Sequence, residues 1–126
     1  MSALVVDTSS WISYFKSLKN TEINEALIEA RVHLPPLVLS ELLSAKISAT
    51  EQKKLIDFLS DLNEYKADFN HWVRVGELRR EMSRIGIHLS TPDAHIAQTA
   101  IDLNAALLSE DKIFHLIKKH TKLKLV

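Results

Sequence analysis

Four acidic residues carry the chemistry open to this sequence. Asp7 ends the apolar run Ala3-Leu4-Val5-Val6, and Asp111 closes the segment Leu107-Leu108-Ser109-Glu110-Asp111. Both runs read as strands buried on both faces of a parallel sheet. Ligands of open parallel sheets bind beyond the carboxyl ends of the strands, so both aspartates are expected on one rim. Asp93 follows Thr91-Pro92, read as a cap and a first-turn proline. It therefore lies where free helix N–H groups and the helix dipole stabilise a carboxylate. Glu41 sits among Leu39, Leu42 and Leu43, and an acid in such an apolar stretch needs a partner. Four oxygen donors, without cysteine or paired histidines, describe a site for a hard divalent cation, Mg²⁺ or Mn²⁺. Such an ion bridges phosphate oxygens and lowers the pKa of bound water, making a nucleophile near neutral pH. Clustered carboxylates repel one another, so the arrangement makes sense only with a cation or a retained proton.

Taken singly, each acid has a plainer reading. Asp7 caps the helix that follows it, Asp93 is a helix-start acid and Asp111 a first-turn acid, while Glu41 reaches solvent from an apolar face. The chemical reading rests on their combination and spacing. Other site types are excluded by composition. With only Gly76 and Gly86, the chain has no glycine-rich phosphate loop and no nucleophile elbow. With no cysteine it has no thiol nucleophile and no thiolate metal site. No two of its six histidines stand three or four residues apart, so a helical zinc pair is absent. His95 follows Asp93 by two positions and points away from it, roughly 200° around the helix. The histidines are read as surface or packing residues. The Ser9-Ser10 pair has no identifiable base, which excludes a serine triad. The aromatic and methionine stripe from Phe69 to Met82 is read as core rather than a base-stacking platform.

The elements that must position these acids follow from periodicity. Val32-His33-Leu34, Ala105-Ala106-Leu107-Leu108 and the first apolar run are expected strands. Tyr65-Lys66-Ala67 is a further short one, and Leu123-Lys124-Leu125-Val126 alternates like an edge strand. Between them lie helical stripes, capped at Thr21, Thr50 and Thr91, with Gly86 as a helix-ending residue. Short strands alternating with helices mean an α/β fold with a central, mainly parallel sheet of four to five short strands flanked by helices. A chain of 126 residues without linker or repeat is expected to form one domain, 1–126. No apolar run approaches the ~18 residues that span a bilayer, and no signal peptide precedes the first strand. A cytoplasmic protein with no membrane partner is expected.

In this order and spacing the residues resemble a known family. The strand ending in Asp7-Thr8-Ser9, then Leu39-Ser40-Glu41-Leu42-Leu43, Asp93-Ala94-His95-Ile96-Ala97 and Leu108-Ser109-Glu110-Asp111-Lys112-Ile113-Phe114 are similar to the PIN domain. More narrowly they resemble the small VapC-type toxins of toxin–antitoxin systems. The resemblance spans essentially the whole chain. It implies a Mg²⁺- or Mn²⁺-dependent endoribonuclease acting on tRNA or ribosomal RNA, usually homodimeric and neutralised by a cognate antitoxin. Carried over by position, Asp7 and Asp93 are expected metal ligands, Glu41 a ligand directly or through water, and Asp111 the fourth acid. Ser109 stands where the family often has threonine, and Thr8 or Ser9 is expected to orient Asp7 or contact phosphate. The helices before Glu41 match the usual antitoxin contact region, with Trp11, Tyr14 and Phe15 as candidate contacts or core.

Two other readings compete: a phosphoryl-transfer enzyme with an aspartyl acceptor, and a catalytically silent PIN-like module that binds RNA or protein. The first lacks the second aspartate of a D-x-D pattern, since Ser9 stands there. The second gives no electrostatic reason to keep four mutually repelling acids. The formal net charge is zero, from 16 basic and 16 acidic residues. If four acids share one cation-filled pocket, the remaining surface has 16 basic against 12 acidic residues, an excess suited to RNA.

Overall fold

The computed structural model describes residues 2–126. Five short strands form one sheet in the order β3-β2-β1-β4-β5: β1 (Leu4–Val6), β2 (Val32–Leu34), β3 (Asn63–Glu64), β4 (Ala106–Leu108) and β5 (Lys124–Leu125). Every neighbouring pair is parallel. All the carboxyl ends therefore open on one edge, as the α/β expectation requires. The central strand is β1, whose three residues are buried, and β4 pairs with it as Val5↔Leu107 and Val6↔Leu108. That register alone brings the residue after β1, Asp7, beside the residue after β4, Ser109.

The connections are α1 (Thr8–Ser17), α2 (Thr21–Ile28), α3 (Pro36–Leu43), α4 (Ala49–Ser60), α5 (Phe69–Arg84), α6 (Thr91–Asp102) and α7 (Ile113–His120). Capping sets their starts one or two residues before the expected threonines. Asn20, Ser48 and Ser90 accept from the backbone N–H groups of Ile23, Glu51 and Asp93. Glu51 returns the bond at Ser48, a complete capping box. The ends of α2, α5 and α6 share one device. Arg31 N–H reaches Ala26 O, Ile87 N–H reaches Met82 O and Ala105 N–H reaches Ala100 O, each at 2.8–2.9 Å. The turning residues Ala30, Gly86 and Asn104 have positive φ. These Schellman closures send α2 straight into β2 and α6 straight into β4, and confirm Gly86 as a helix-ending residue.

Two expectations are corrected. The fourth strand lies at Asn63–Glu64, before Tyr65-Lys66-Ala67. Asn63 Nδ2 donates to the carbonyls of Ala30 and Val32 and anchors this edge, and the Tyr65 ring turns into a buried polar network described below. The stripe on α5 is core only from its second turn. Val75, Leu78 and Met82 are buried, whereas Phe69 is 82% and Trp72 47% exposed. The edge strand near the C-terminus is present as the two residues of β5. The core joins the sheet to Trp11, Ile23, Leu59, Ile96, Phe114 and Ile117, each contributing about 1.5–3 kcal/mol by burial.

Candidate functional site

The site lies along the carboxyl edge of β1 and β4. Asp7 occupies the N-cap position of α1, yet its side chain makes no capping bond. Only its backbone carbonyl serves the helix, accepting from Ser10 and Trp11 N–H at 3.0 Å. The carboxylate is instead held from across the sheet. Ser109 Oγ donates to Asp7 Oδ2 at 2.8 Å, and Ser9 Oγ lies 3.5 Å from the same oxygen. Ser109 Oγ also accepts from Asp111 N–H at 3.0 Å, and Ser9 Oγ from Glu110 N–H at 3.1 Å. Two serines thus lock the loop after β4 to the start of α1. The capping reading of Asp7 fails, and a carboxylate released from capping is available to a ligand.

Glu41 has the partner its apolar setting called for. It lies on α3, which packs against α1, and Thr8 Oγ1 donates to Glu41 Oε1 at 2.8 Å. Asp93 stands in the first turn of α6, half-buried, with its N–H on Ser90 Oγ. Asp111 accepts from Ile113 N–H at 3.1 Å at the start of α7.

Electrostatics ties the four together. Burial pushes the Asp93 carboxyl up, and the charges of Asp111, Asp7 and Glu41 push it further, against a hydrogen bond with Ser90 that pulls down. Among the described residues, none of the four acids is in an ion pair. The four carboxylates therefore share one neighbourhood of uncompensated negative charge. Among the described residues, no three acidic or imidazole side chains are drawn together tightly enough to ligate one ion as they stand. Thr8 holds Glu41, and the backbone N–H of Ile113 holds Asp111. The donor set is nonetheless one that fits a divalent cation: hard oxygens, prepositioned by hydroxyls and lacking any protein cation.

A second polar cluster, invisible in the sequence reading, lies between α5 and α6. His71 and His95 are buried, and His71 Nε2 lies 2.8 Å from His95 Nδ1. His71 Nδ1 is 2.8 Å from Asp102 Oδ2. Asp102 also accepts from Arg74 through Nε and Nη2, from Gln98 Nε2 and from the Tyr65 hydroxyl. Burial pushes the Asp102 carboxyl up, but the bonds from Arg74, His71 and Gln98 prevail and hold it at about 2. An ionised carboxylate only accepts, so the His71 ring donates to it from Nδ1, and Nε2 shares the bond with His95 Nδ1. Burial, aided by the His71 ring, brings His95 down to about 4, so it is neutral at pH 7. The packing reading of these two histidines holds. Their network left a faint signal: His95, Gln98 and Asp102 lie on one face of α6 at helical spacing, as His71 and Arg74 do on α5.

Of the expected antitoxin contacts, Trp11 and Tyr14 are core. Trp11 stacks on Phe15 at 5.5 Å and meets Phe58 edge-on, and the Tyr14 hydroxyl donates to Asn24 Oδ1 at 2.6 Å. Phe15 alone of the three reaches the surface, beside Ile12.

Known proteins bear on this geometry. The PIN domain family matches residues 4–120. No curated protein matches the sequence at a significant level. Among solved structures, the chain is similar to VapBC2 from Rickettsia felis bound to a DNA fragment from its promoter, with TM-score 0.79 and 23% identity over 98% of this chain and 97% of that one. It is also similar to DNA-bound VapBC from Salmonella typhimurium, with TM-score 0.81 and 17% identity over 100% and 98% of the two chains. VapBC-5 from Mycobacterium tuberculosis, a toxin–antitoxin system, aligns with TM-score 0.71 and 20% identity over 100% and 98%. At these identities the structures speak for the fold.

Proposed function

The chain belongs to the PIN domain family, and on that premise we propose that it is a metal-dependent endoribonuclease, the toxin of a VapBC-type toxin–antitoxin pair. The observation that supports this most is the Asp93 carboxyl, raised by burial and by the charges of Asp111, Asp7 and Glu41, in a group of acids none of which is in an ion pair among the described residues. Asp7 and Asp93 would hold Mg²⁺ or Mn²⁺, with Glu41 directly or through water and Asp111 as the fourth acid. When bound, the ion supplies an activated water and offsets charge developing on the phosphate oxygens.

The protein's own residues do the positioning. Ser109 and Ser9 fix the direction of the Asp7 carboxylate, and Thr8 fixes that of Glu41. Asp93, its carboxyl pKa raised by burial and by the neighbouring acids, keeps a proton to higher pH than an ordinary aspartate, and an ion bound there competes with that proton. RNA, such as tRNA or ribosomal RNA, is the substrate in this reading, which places a single domain of residues 1–126 in the cytoplasm. Among the described residues, no helix is long and apolar enough to cross a membrane. A cognate antitoxin and homodimeric assembly belong to the same proposal. The exposed apolar residues Ile12 and Phe15 on α1, with Ile56 on α4, are the antitoxin contacts it names.

The experiment is cleavage of total RNA with Mg²⁺ or Mn²⁺, with EDTA, and by Asp7→Asn. Cleavage that needs the ion and the carboxylate is expected. Unchanged cleavage in excess EDTA would sink the metal mechanism. Independently of activity, saturating ion should raise the Tm of the wild type and not of Asp7→Asn, because a ligand at a hundred times its Kd stabilises by about 2.7 kcal/mol.

A further inference from the structure

We propose that the cavity beside the acidic rim, walled by the stacked Trp72–His95 pair, is a subsite for an unpaired nucleobase of the RNA strand; the proposal rests on the ribonuclease reading above. Position is the first argument. The cavity, of about 550 Å³, is lined by residues that include Ser40, Glu64, Tyr65, Lys66, Trp72 and His95. Ser40 precedes Glu41 on α3, and His95 lies on the helix that starts beside Asp93. Residues 64–66 leave the carboxyl end of β3, on the same edge of the sheet as Asp7 and Ser109. Two interstrand spacings separate β3 from β1, roughly 10 Å, a distance that an adjoining nucleotide can bridge.

The second argument is the form of the wall. The Trp72 indole lies 4.6 Å from the His95 ring at an interplanar angle of 14°. His95 thus covers one indole face, the buried His71 ring packs edge-on at 5.4 Å, and the residue remains 47% exposed. A large aromatic held flat and partly exposed is what base stacking needs, and every base supplies the partner π-face. The platform is also rigid. His95 Nδ1 is fixed to His71 Nε2, and His71 Nδ1 to Asp102, so the ring beneath the indole cannot turn. Little ordering entropy is left for binding to remove. This gives the buried Asp102–His71–His95 relay a use that packing alone does not.

The cavity's polar groups suit a nucleotide. His95 Nε2 has no protein partner among the described residues and is left free to bond a base edge. Glu64 offers an acceptor for exocyclic amino groups. Lys66 is exposed and in no ion pair among the described residues, available to a backbone phosphate.

The test has a binding arm and a kinetic arm. In EDTA, short single-stranded oligoribonucleotides of A, C, G or U are titrated against tryptophan fluorescence. Trp11 is fully buried, so Trp72 is the reporter. Quenching by the wild type is expected, with none in Trp72→Phe and none with an abasic strand of equal length. In Mg²⁺, Trp72→Ala should raise KM for single-stranded RNA about tenfold, as loss of one stacked base does, with kcat kept and Trp72→Phe partly restoring it. Equal quenching by the abasic strand, or an unchanged KM in Trp72→Ala, overturns the subsite. So does a change in oligomeric state in Trp72→Ala with RNA parameters intact, which would assign this face to protein contact. Base-dependent quenching by a wild type that cuts no RNA supports the subsite while defeating the ribonuclease reading, so the two fail separately.

Discussion

One helix carries two aspartates that behave in opposite ways. Asp93 stands in the first turn of α6, where the helix dipole favours a carboxylate, and Asp102 stands at its last residue, where the dipole opposes one. The dipole alone would lower the first pKa and raise the second. The reverse is found: Asp93 is raised and Asp102 is held at about 2. The cause is the company each keeps. Asp93 is partly desolvated among three other acids, while Asp102 receives a forked guanidinium, an amide, an imidazole and a phenol. Hydrogen bonds and near charges thus outweigh a helix-end effect of about 0.3–1 kcal/mol. A carboxylate satisfied by its own protein is a structural fastening, and one set among like charges is left without such partners.

That contrast can be broken or sharpened by experiment. The largest effect is expected at the acidic rim. Asp93→Asn should lower RNA cleavage by more than about a hundredfold, beyond the range that outer-shell changes reach, with Tm unchanged or raised because a repelling charge has gone. Substantial activity in this variant would place Asp93 with the ordinary helix-start acids. Asp102→Asn should do the converse in chemical denaturation. It should cost about 2–3 kcal/mol of stability, since it removes the charge and one of the two oxygens that accept from His71, Arg74 and Gln98 and sets an amide donor against theirs.

The pH dependence of Asp102 has a definite sign. Its pKa is lowered on folding from 3.8 to about 2, so its contribution is complete above the unfolded value and is lost as pH falls through the folded one. The stability gap between wild type and Asp102→Asn should therefore be flat above about pH 5 and close between roughly pH 4 and pH 2. A gap that widens on acidification would refute the assignment.

Smaller effects probe the supports. Ser109→Ala removes the hydroxyl that aims Asp7 and anchors the Asp111 backbone. Steady-state cleavage should fall about tenfold, the lower end for an outer-shell partner, and Ser109→Thr should restore it. The smallest change is expected for Ser90→Ala, which deletes the cap of α6 at a cost near 1 kcal/mol. Its thermal unfolding should shift while Asp102 keeps its low pKa by carboxyl NMR titration, which would show that the two ends of α6 are electrostatically separate.

Legibility differed between the two clusters for a physical reason. Asp7 and Asp111 were readable because each terminates an unbroken apolar run, and parallel strands end on one edge. Glu41 was readable because an acid among leucines needs a partner, which proved to be Thr8. Tyr65 was expected in a short strand, Tyr65-Lys66-Ala67. Its ring is instead recruited by Asp102 and His71, contacts that no local pattern encodes. Trp72 was assigned to the core because it shares a helical stripe with Val75, Leu78 and Met82, yet the stripe's first turn extends past the body of the sheet. The caps were displaced by one or two residues because serine and asparagine upstream competed with threonine for the same role.

By itself the sequence determined the alternation of strands and helices, the common rim for Asp7 and Asp111, and the hard-oxygen character of the candidate site. These follow from hydrophobic periodicity and side-chain chemistry, both local properties. Only the tertiary structure decided that Ser109 rather than the α1 backbone holds the Asp7 side chain. It alone decided that Asp93 feels three other acids, and that His71, His95 and Asp102 form one chain beneath Trp72. Such outcomes depend on strand register and helix packing between residues far apart in the chain, where neighbours, more than residue type, set the charge a carboxylate will bear.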